Sequence, residues 1–330
     1  MTEVNIAIIG TGALACLFGA RLSKVANVVL VGSWREQLNA INAHGLSVNE
    51  MTGSKKTFKL KAALFPEDIP SIPKADYALV LVKSYQTAEA AQRIKRIIKP
   101  NGVVLSLQNG LGNQEKLLQA LPFHMVSSGI TMQGANVVRL GVVNHAGNGV
   151  SVIDDKPFLT RLNKLMRQAD LPIQTYKEYG VRGIQAVIWQ KLIINASINP
   201  LTAILGVPNG FLAENPNARE LCIETVREAF AVGELDGGLP SDQFEETIGI
   251  KVAQQTAENR SSMLQDVTNG RKTEIDSICG EIVRRSTSNG LKTPLNTLWL
   301  KLISEYERTG KQPKYSVEEL LEMIRHRDHQ

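Results

Sequence analysis

The segment NIAIIGTGALACLFGARL, Asn5 to Leu22, decides the fold class. Asn5 to Ile9 is a short apolar run that reads as a buried strand. Gly10-Thr11-Gly12-Ala13-Leu14-Ala15 follows at once, and an apolar pattern of helical period continues through Leu22. Strand, glycine turn and helix in this order form the dinucleotide fingerprint, with Ala15 in the place of the third glycine. Gly10 permits the tight turn, and Gly12 lets the backbone approach a pyrophosphate at the positive end of the helix. Ala15 and Gly19 are small enough for the helix to lie close on the sheet. The expected fold is therefore α/β, with an N-terminal Rossmann-type doubly wound sheet. Gly10, Thr11, Gly12, Ala13 and Leu14 are the expected cofactor-binding residues of its first turn.

The following segments repeat the alternation of strand and helix. Val28 to Val31 is a second strand, and the chain then reads Gly32-Ser33-Trp34-Arg35, with no acid before Glu36. An NAD site usually has an acid here for the ribose 2′-hydroxyl. Ser33 and Arg35 instead suit a 2′-phosphate, which favours NADP. A helix over Glu36 to Ala43 ends near Gly45, and Leu46 to Ala63 reads as strand, turn and strand. Asp76 to Val82 is a buried parallel strand that runs into Lys83, and a helix follows over Ala88 to Ile98. Val103 to Leu107 runs into the polar, glycine-rich loop Gln108-Asn109-Gly110-Leu111-Gly112-Asn113, with a helix to Ala120. Ligands of open α/β sheets bind beyond the carboxyl ends of strands, which places Lys83 and Asn109 to meet cofactor or substrate. Asn109-Gly110 is equally a common turn without chemistry. Met125 to Gly129 continues the sheet. Thr131 to Ile153 suggests small antiparallel strands capping it, with His145 in a structural role. Lys156 to Ala169 reads as a helix and Ile173 to Thr175 as the last strand, so the first domain spans residues 1–176.

Residues 177–330 read as all-helical. Their first helix carries WQKLIINASINP, Trp189 to Pro200, and is expected to break at Pro200. Lys191, Asn195 and Asn199 recur every fourth residue and fall on one narrow stripe of an otherwise apolar helix. The stripe is either a solvated face or the lining of a polar ligand site with one proton donor and two amide clamps. Lysine suits proton donation because burial lowers its pKa toward neutrality. Further helices are expected over Pro216 to Asp236, Ser241 to Thr268, Thr273 to Asn289, Pro294 to Thr309 and Ser316 to His326. Ser262 lies near a helix end, and Glu274 in a first helical turn, where a carboxylate complements the helix dipole. Ser316 with Glu319 forms a capping box.

With 330 residues the chain is long enough for two domains. Its net charge of +5 comes from interspersed rather than massed lysines and arginines. That pattern suits a small anionic ligand and argues against a nucleic-acid face. No apolar run reaches membrane-spanning length, and there is no signal-peptide layout. Cys16, Cys222 and Cys279 have no metal-ligand spacing and read as reduced packing residues of a cytoplasmic protein. No metal is expected, and the chain is expected to be a monomer or a homodimer.

Several segments together resemble the ketopantoate reductase (2-dehydropantoate 2-reductase) family. These are GTGALA (10–15), VKSYQT (82–87), QNGLGN (108–113), WQKLIINASINPLTAIL (189–205), and ENRSSMLQD with KTEID (258–276). The resemblance runs through almost the whole chain in order, and its last three blocks are the specific ones. It implies a Rossmann domain followed by an all-α substrate domain, and NADPH-dependent reduction of ketopantoate to (R)-pantoate, a step towards pantothenate and coenzyme A. It also implies roles. Lys191 is the catalytic proton donor, Glu274 binds substrate and shapes the lysine's environment, and Asn195, Asn199 and Ser262 bind substrate. Asn109 touches cofactor and substrate, and Lys83 touches cofactor. One departure concerns the NADP phosphate. The family commonly has an arginine directly after the second strand; counted back from Gly45-Leu46, Trp34 falls there and Arg35 one place later. Two alternatives stand beside this reading: a reductase of another 2-keto acid, and a regulator that binds NADP(H) without turnover.

Overall fold

A computed structural model of the chain describes residues 3–240, 242 and 245–326. The chain divides into two units. One runs through Gln108 and resumes over Gly112–Val187; the other joins Asn109–Leu111 to the chain from Ile188 onward. The sequence places the boundary after residue 176, where the strand signal ends. The two compact units meet in the chain at 187/188, inside a helix whose first residues group with the first unit.

The first unit is Rossmann-type, as its opening segment implies. Its elements are β1 (Asn5–Ile9), α1 (Ala13–Leu22), β2 (Asn27–Gly32), α2 (Arg35–His44), β3 (Leu46–Asn49), β4 (Lys55–Phe58), β5 (Lys61–Leu64) and β6 (Ala75–Val80). There follow α3 (Thr87–Ile97), β7 (Ile98–Ser106), α4 (Asn113–Ala120), β8 (Met125–Arg139), β9 (Val142–Ile153), α5 (Thr160–Gln168) and β10 (Ile173–Thr175). The sheet order among the described residues is β4-β3-β9-β8-β7-β6-β1-β2-β5, with β10 paired to β9. From β8 to β5 every neighbouring pair is parallel.

Strand alternation builds a core on each face. Ile6 and Ile8 of β1 join Phe18, Leu30 and Leu38 on one side. Ala7 and Ile9 join Val31, Val80, Ala90 and Ile94 on the other. Each fully buried aliphatic side chain contributes about 1.5–3 kcal/mol; with both faces of β1 buried, a one-residue slip would set Ile6 and Ile8 where Ala7 now packs, and is disfavoured by that misfit in volume. Gly19 brings α1 close to β2, since a methyl there would lie 2.9 Å from Leu30 Cδ2.

The segment expected as small strands capping the sheet is instead one long hairpin, β8 and β9, running antiparallel within the sheet. Its glycines, which read locally as strand ends, sit where the two strands approach closely: Gly134 faces Gly147 across the ladder. His145 lies in this hairpin and is structural, as expected. Its Nδ1 is 3.3 Å from Arg21 Nη2, and its Nε2 is 2.9 Å from Gln133 Oε1. Arg21 donates two hydrogen bonds, of 2.7 and 2.6 Å, to the Glu50 carboxylate, and this buried pair fastens α1 to the β3–β4 turn.

The second unit is helical among its described residues: α6 (Ile184–Leu205), α7 (Phe211–Glu214), α8 (Pro216–Leu235), α9 (Ile248–Gln255), α10 (Ser262–Thr268), α11 (Glu281–Ser288), α12 (Pro294–Thr309) and α13 (Val317–Arg325). Contrary to expectation, α6 does not break at Pro200. Proline removes one backbone donor, but Ile198, Leu201 and Ile204 around it are buried, and that apolar contact outweighs one missing hydrogen bond. The helix expected over Ser241 to Thr268 is two helices; its start at Ser241 lies outside the described residues. The break comes at Ser261, which caps α10 by accepting from Leu264 N (3.1 Å) and takes the Thr202 hydroxyl at 2.7 Å. The Thr273 to Asn289 segment begins with a π-helical turn, Asp276–Gly280, before α11. The capping box at Ser316 and Glu319 is present. All three cysteines are free and buried, and burial pushes the thiols up, Cys16 to about 11 and Cys222 to about 12, as packing residues require. Among the described residues no helix is long and apolar enough to cross a membrane, and no acidic, histidine or cysteine cluster could hold a metal.

Candidate active site

In the first unit, the parallel order β6-β1-β2 brings three sequence-predicted groups to one edge of the sheet. Lys83 follows β6, Gly10 to Leu14 follow β1, and Ser33 to Arg35 follow β2. Gly10 has φ +131°, and a side chain there would press on the Leu81 carbonyl. Gly12 is the N-cap of α1. It offers no side-chain cap, no acid stands in the first turn, and a methyl at Gly12 would meet open space. The first-turn N–H groups of α1 thus form an accessible donor set of the kind that holds a pyrophosphate. Ser33 and Trp34 are exposed at the end of β2. Arg35 opens α2 and donates to Glu67 Oε1 at 3.0 Å, in an exposed pair. Lys83 is half-buried and precedes the short turn Ser84–Gln86.

In the second unit, Lys191, Asn195 and Asn199 lie on successive turns of α6, which the structure confirms as one continuous helix. Lys191 and Asn195 are half-buried, whereas Asn199 is buried. The Thr202–Ser261 hydrogen bond ties the far end of this stripe to the start of α10, whose first residue is the exposed Ser262. Glu274 is buried and stands just before the π-helical turn, its carbonyl accepting from Ser277 N and Ile278 N. Asn109 belongs to this same unit: its Nδ2 donates to Glu274 Oε2 at 3.2 Å.

Residues 109–111 are held there by the backbone. Leu111 N donates to the Ser277 carbonyl at 3.0 Å. Gly110 takes φ +83°, and a methyl there would overlap that same carbonyl. The Asn-Gly pair is therefore more than a turn, because the glycine lets the loop seat against the π turn and so delivers the Asn109 amide to Glu274. Single π turns are frequent at functional sites.

Burial pushes the Lys191 ammonium down from its ordinary 10.5 to about 8, and the Glu274 carboxylate offsets part of that fall. A desolvated ammonium within the field of a carboxylate, with side-chain amides on the same helical stripe, is able to polarise a carbonyl and to give it a proton near neutral pH. Sequence reasoning missed three supporting residues. Gln108 is buried and donates to the Val82 carbonyl (3.1 Å) and Thr87 Oγ1 (2.9 Å), which fixes the loop ahead of Asn109. Thr273 and Glu307 hold the chain beside Glu274. Of these only Gln108 carried a signal, as a polar residue between an apolar strand and Asn-Gly.

Two family models match the chain: "Ketopantoate reductase PanE/ApbA" over residues 6–157 and "Ketopantoate reductase PanE/ApbA C terminal" over residues 183–307. The 2-dehydropantoate 2-reductase of Pyrococcus horikoshii is 34% identical over 315 residues, covering 93% of this chain and 99% of that protein. The crystal structure of a PanE/ApbA family ketopantoate reductase from Ralstonia eutropha JMP134 matches with a TM-score of 0.83 at 29% identity, covering 92% of this chain and 99% of that one. A ternary structure of D-mandelate dehydrogenase with NADH and anilino(oxo)acetate matches with a TM-score of 0.83 at 25% identity, covering 93% of this chain and 99% of that one.

Proposed function

The chain belongs to the ketopantoate reductase family, and on that premise we propose that it reduces 2-dehydropantoate to (R)-pantoate with NADPH, a step towards pantothenate and coenzyme A. The single observation that carries the chemistry is Lys191, lowered to about 8 by burial beside the Glu274 carboxylate. A donor with a pKa near the working pH is mostly protonated yet gives its proton up readily.

In this reading residues 1–176 hold the cofactor and residues 177–330, with Asn109, hold the substrate and the acid. Gly10 to Leu14 bind the pyrophosphate, Ser33 and Arg35 the 2′-phosphate, and Lys83 and Asn109 make further cofactor contacts. When bound, the nicotinamide supplies a hydride. Lys191 hydrogen-bonds the ketone oxygen through Nζ and stabilises the negative charge that grows there as the carbonyl π bond breaks. The Nζ proton ends on that oxygen, leaving a hydroxyl and a neutral lysine that solvent reprotonates. Asn195, Asn199 and Ser262 hold the polar groups of the substrate. Glu274 binds substrate and supports the charged form of Lys191, while Asn109 orients Glu274.

Three observations favour a second reading, a reductase that uses NADH on a different 2-keto acid. Arg35 is already paired with Glu67, Trp34 stands in the place of the family arginine, and the D-mandelate dehydrogenase neighbour was solved with NADH. One assay separates the two: loss of NADPH absorbance on adding ketopantoate, with NADH and 2-ketoisovalerate in parallel. Turnover with NADPH and ketopantoate well above the other combinations supports the proposal. Equal rates with NADH remove the 2′-phosphate role of Arg35. Cofactor binding without turnover of any 2-keto acid refutes catalysis and leaves a binding protein.

A further inference from the structure

We propose that Glu307 is a positioning residue for Glu274, acting through Thr273. Glu307 Oε1 accepts both the backbone N–H of Thr273, at 2.8 Å, and its hydroxyl, at 2.6 Å. Thr273 Oγ1 in turn accepts from Ile275 N at 3.2 Å. A carboxylate only accepts hydrogen bonds. Glu307 therefore dictates that the Thr273 hydroxyl proton points at it, which leaves the Thr273 lone pairs for Ile275 N–H. The residues on both sides of Glu274 are fixed by this one carboxylate, in a site where Thr273 is 2% exposed.

Two further observations point the same way. Glu307 lies in the last turn of α12, where the helix dipole disfavours an acid. A residue kept against its local preference marks a compensating use. The neighbouring Tyr306 hydroxyl donates to the Arg271 carbonyl at 3.1 Å, so the end of α12 holds the chain that leads into Thr273 at two points. The charged groups around Glu307 are Arg271, Lys272 and Arg308, which line the same open depression, and the buried Asp266 lies on the Tyr306 side. The three cations are exposed, whereas Thr273 is buried.

The proposal rests on the roles given above to Lys191 and Glu274, and its test uses two readouts so that the two fail separately. The first is kcat/KM for ketopantoate across pH, with the NADPH dissociation constant alongside. The second is the pH dependence of Lys191 acetylation, read by peptide mass spectrometry, which needs no substrate. Glu307→Ala is expected to lower kcat/KM by about 10- to 100-fold, as a displacement of order 1 Å does, with NADPH affinity unchanged. The acetylation midpoint of Lys191 should fall below its wild-type value, because Glu274 no longer supports the ammonium. Glu307→Gln, whose amide oxygen accepts both Thr273 donors, should restore both readouts, and Thr273→Val, which keeps the backbone bond and loses the hydroxyl, should shift both in the same direction as the Ala variant by a smaller amount. A wild-type midpoint and wild-type kcat/KM in Glu307→Ala overturn the proposal. If Glu307→Ala does not fold, an unchanged Lys191 midpoint in Thr273→Val overturns it instead. If the wild-type protein reduces no keto acid, the functional reading fails, and the acetylation midpoints still decide the role of Glu307.

Discussion

Replacing Lys191 by Met should make the protein more stable at neutral pH while it abolishes turnover. The ammonium has an ordinary value of 10.5 in the unfolded chain and about 8 in the folded one. Below pH 8 both states are protonated, and the folded state carries the full cost of burying the charge. At about 1.36 kcal/mol per pH unit that gap sets an upper limit of about 3 kcal/mol. Lys191 keeps some exposure, so the expected gain is about 1–2 kcal/mol after solvent screening. Between pH 8 and 10.5 the folded state sheds its proton first, the cost shrinks, and above 10.5 it is gone. Met fills a similar volume without a charge. It also leaves Glu274 without the ammonium, which works against the gain, so the decisive quantity is the pH dependence of the difference between variant and wild type. Urea unfolding at pH 6.5, 7.5, 9 and 10.5, followed by tryptophan fluorescence, measures it, because Trp189 and Trp299 are fully buried in the helical unit. The advantage of Lys191→Met should be largest at the two lower pH values and decline steadily above pH 8. A difference that stays constant from pH 6.5 to 10.5 would mean that Lys191 ionises like an exposed lysine. The proton-donor argument would then lose its physical basis.

Gly110→Ala should lower both stability, by about 2–4 kcal/mol, and kcat/KM, by at least about tenfold, because the methyl meets the Ser277 carbonyl at a left-handed backbone position. Calorimetry and steady-state kinetics on one preparation check both, and a wild-type melting temperature with wild-type kinetics would contradict the docked loop. Arg21→Met should cost about 3–5 kcal/mol, since it strands a buried Glu50 carboxylate. Arg21 holds the Glu50 pKa below its ordinary 4.5, so this contribution is present above pH 4.5 and is lost as pH falls through the lowered value. The variant's stability should accordingly depend less on pH in that acid range, and urea titrations at pH 3.5 to 6 would expose the opposite trend.

The parts of the fold legible in the sequence are those written in local patterns. β1 falls where a short apolar run marked it, β10 where the last strand was read, and α12 runs over the residues its period marked, because each signal lies within one segment. The misreadings share one cause. Pro200 looked like a break because the rule counts a lost backbone donor and not the buried side chains around it. Ser261 and Ser262 looked like a helix end although Ser261 caps the next helix locally through Leu264 N; the contact that fixes its hydroxyl in place, from Thr202, lies 59 residues away in the chain. The long hairpin looked like short strands because Gly134 and Gly147 punctuate it locally, while their pairing with each other is a property of register. At the candidate site, the stripe on α6 was visible as a four-residue period. Thr273 and Glu307, 34 residues apart, had no spacing that could announce them.

A charged residue inside an apolar helix is not by itself a sign of chemistry, and this chain holds a direct contrast. Arg21 lies among the apolar residues of α1 much as Lys191 lies in α6. Arg21 is answered by a bidentate carboxylate at 2.7 and 2.6 Å, with His145 beside it. Such a pair is closed, with its hydrogen-bonding capacity turned toward protein and its charge neutralised. Lys191 instead meets a carboxylate that offsets only part of its burial, so the folded protein holds its proton less tightly than water would. A net cost that persists after folding is what a proton donor requires, since a fully satisfied ammonium would have no reason to release its proton. The same criterion explains why the Asn109 amide goes to Glu274 through an ordinary 3.2 Å hydrogen bond. It fixes where the carboxylate stands without adding a second charge, and so leaves Lys191 in the intermediate state that its proposed role as proton donor requires.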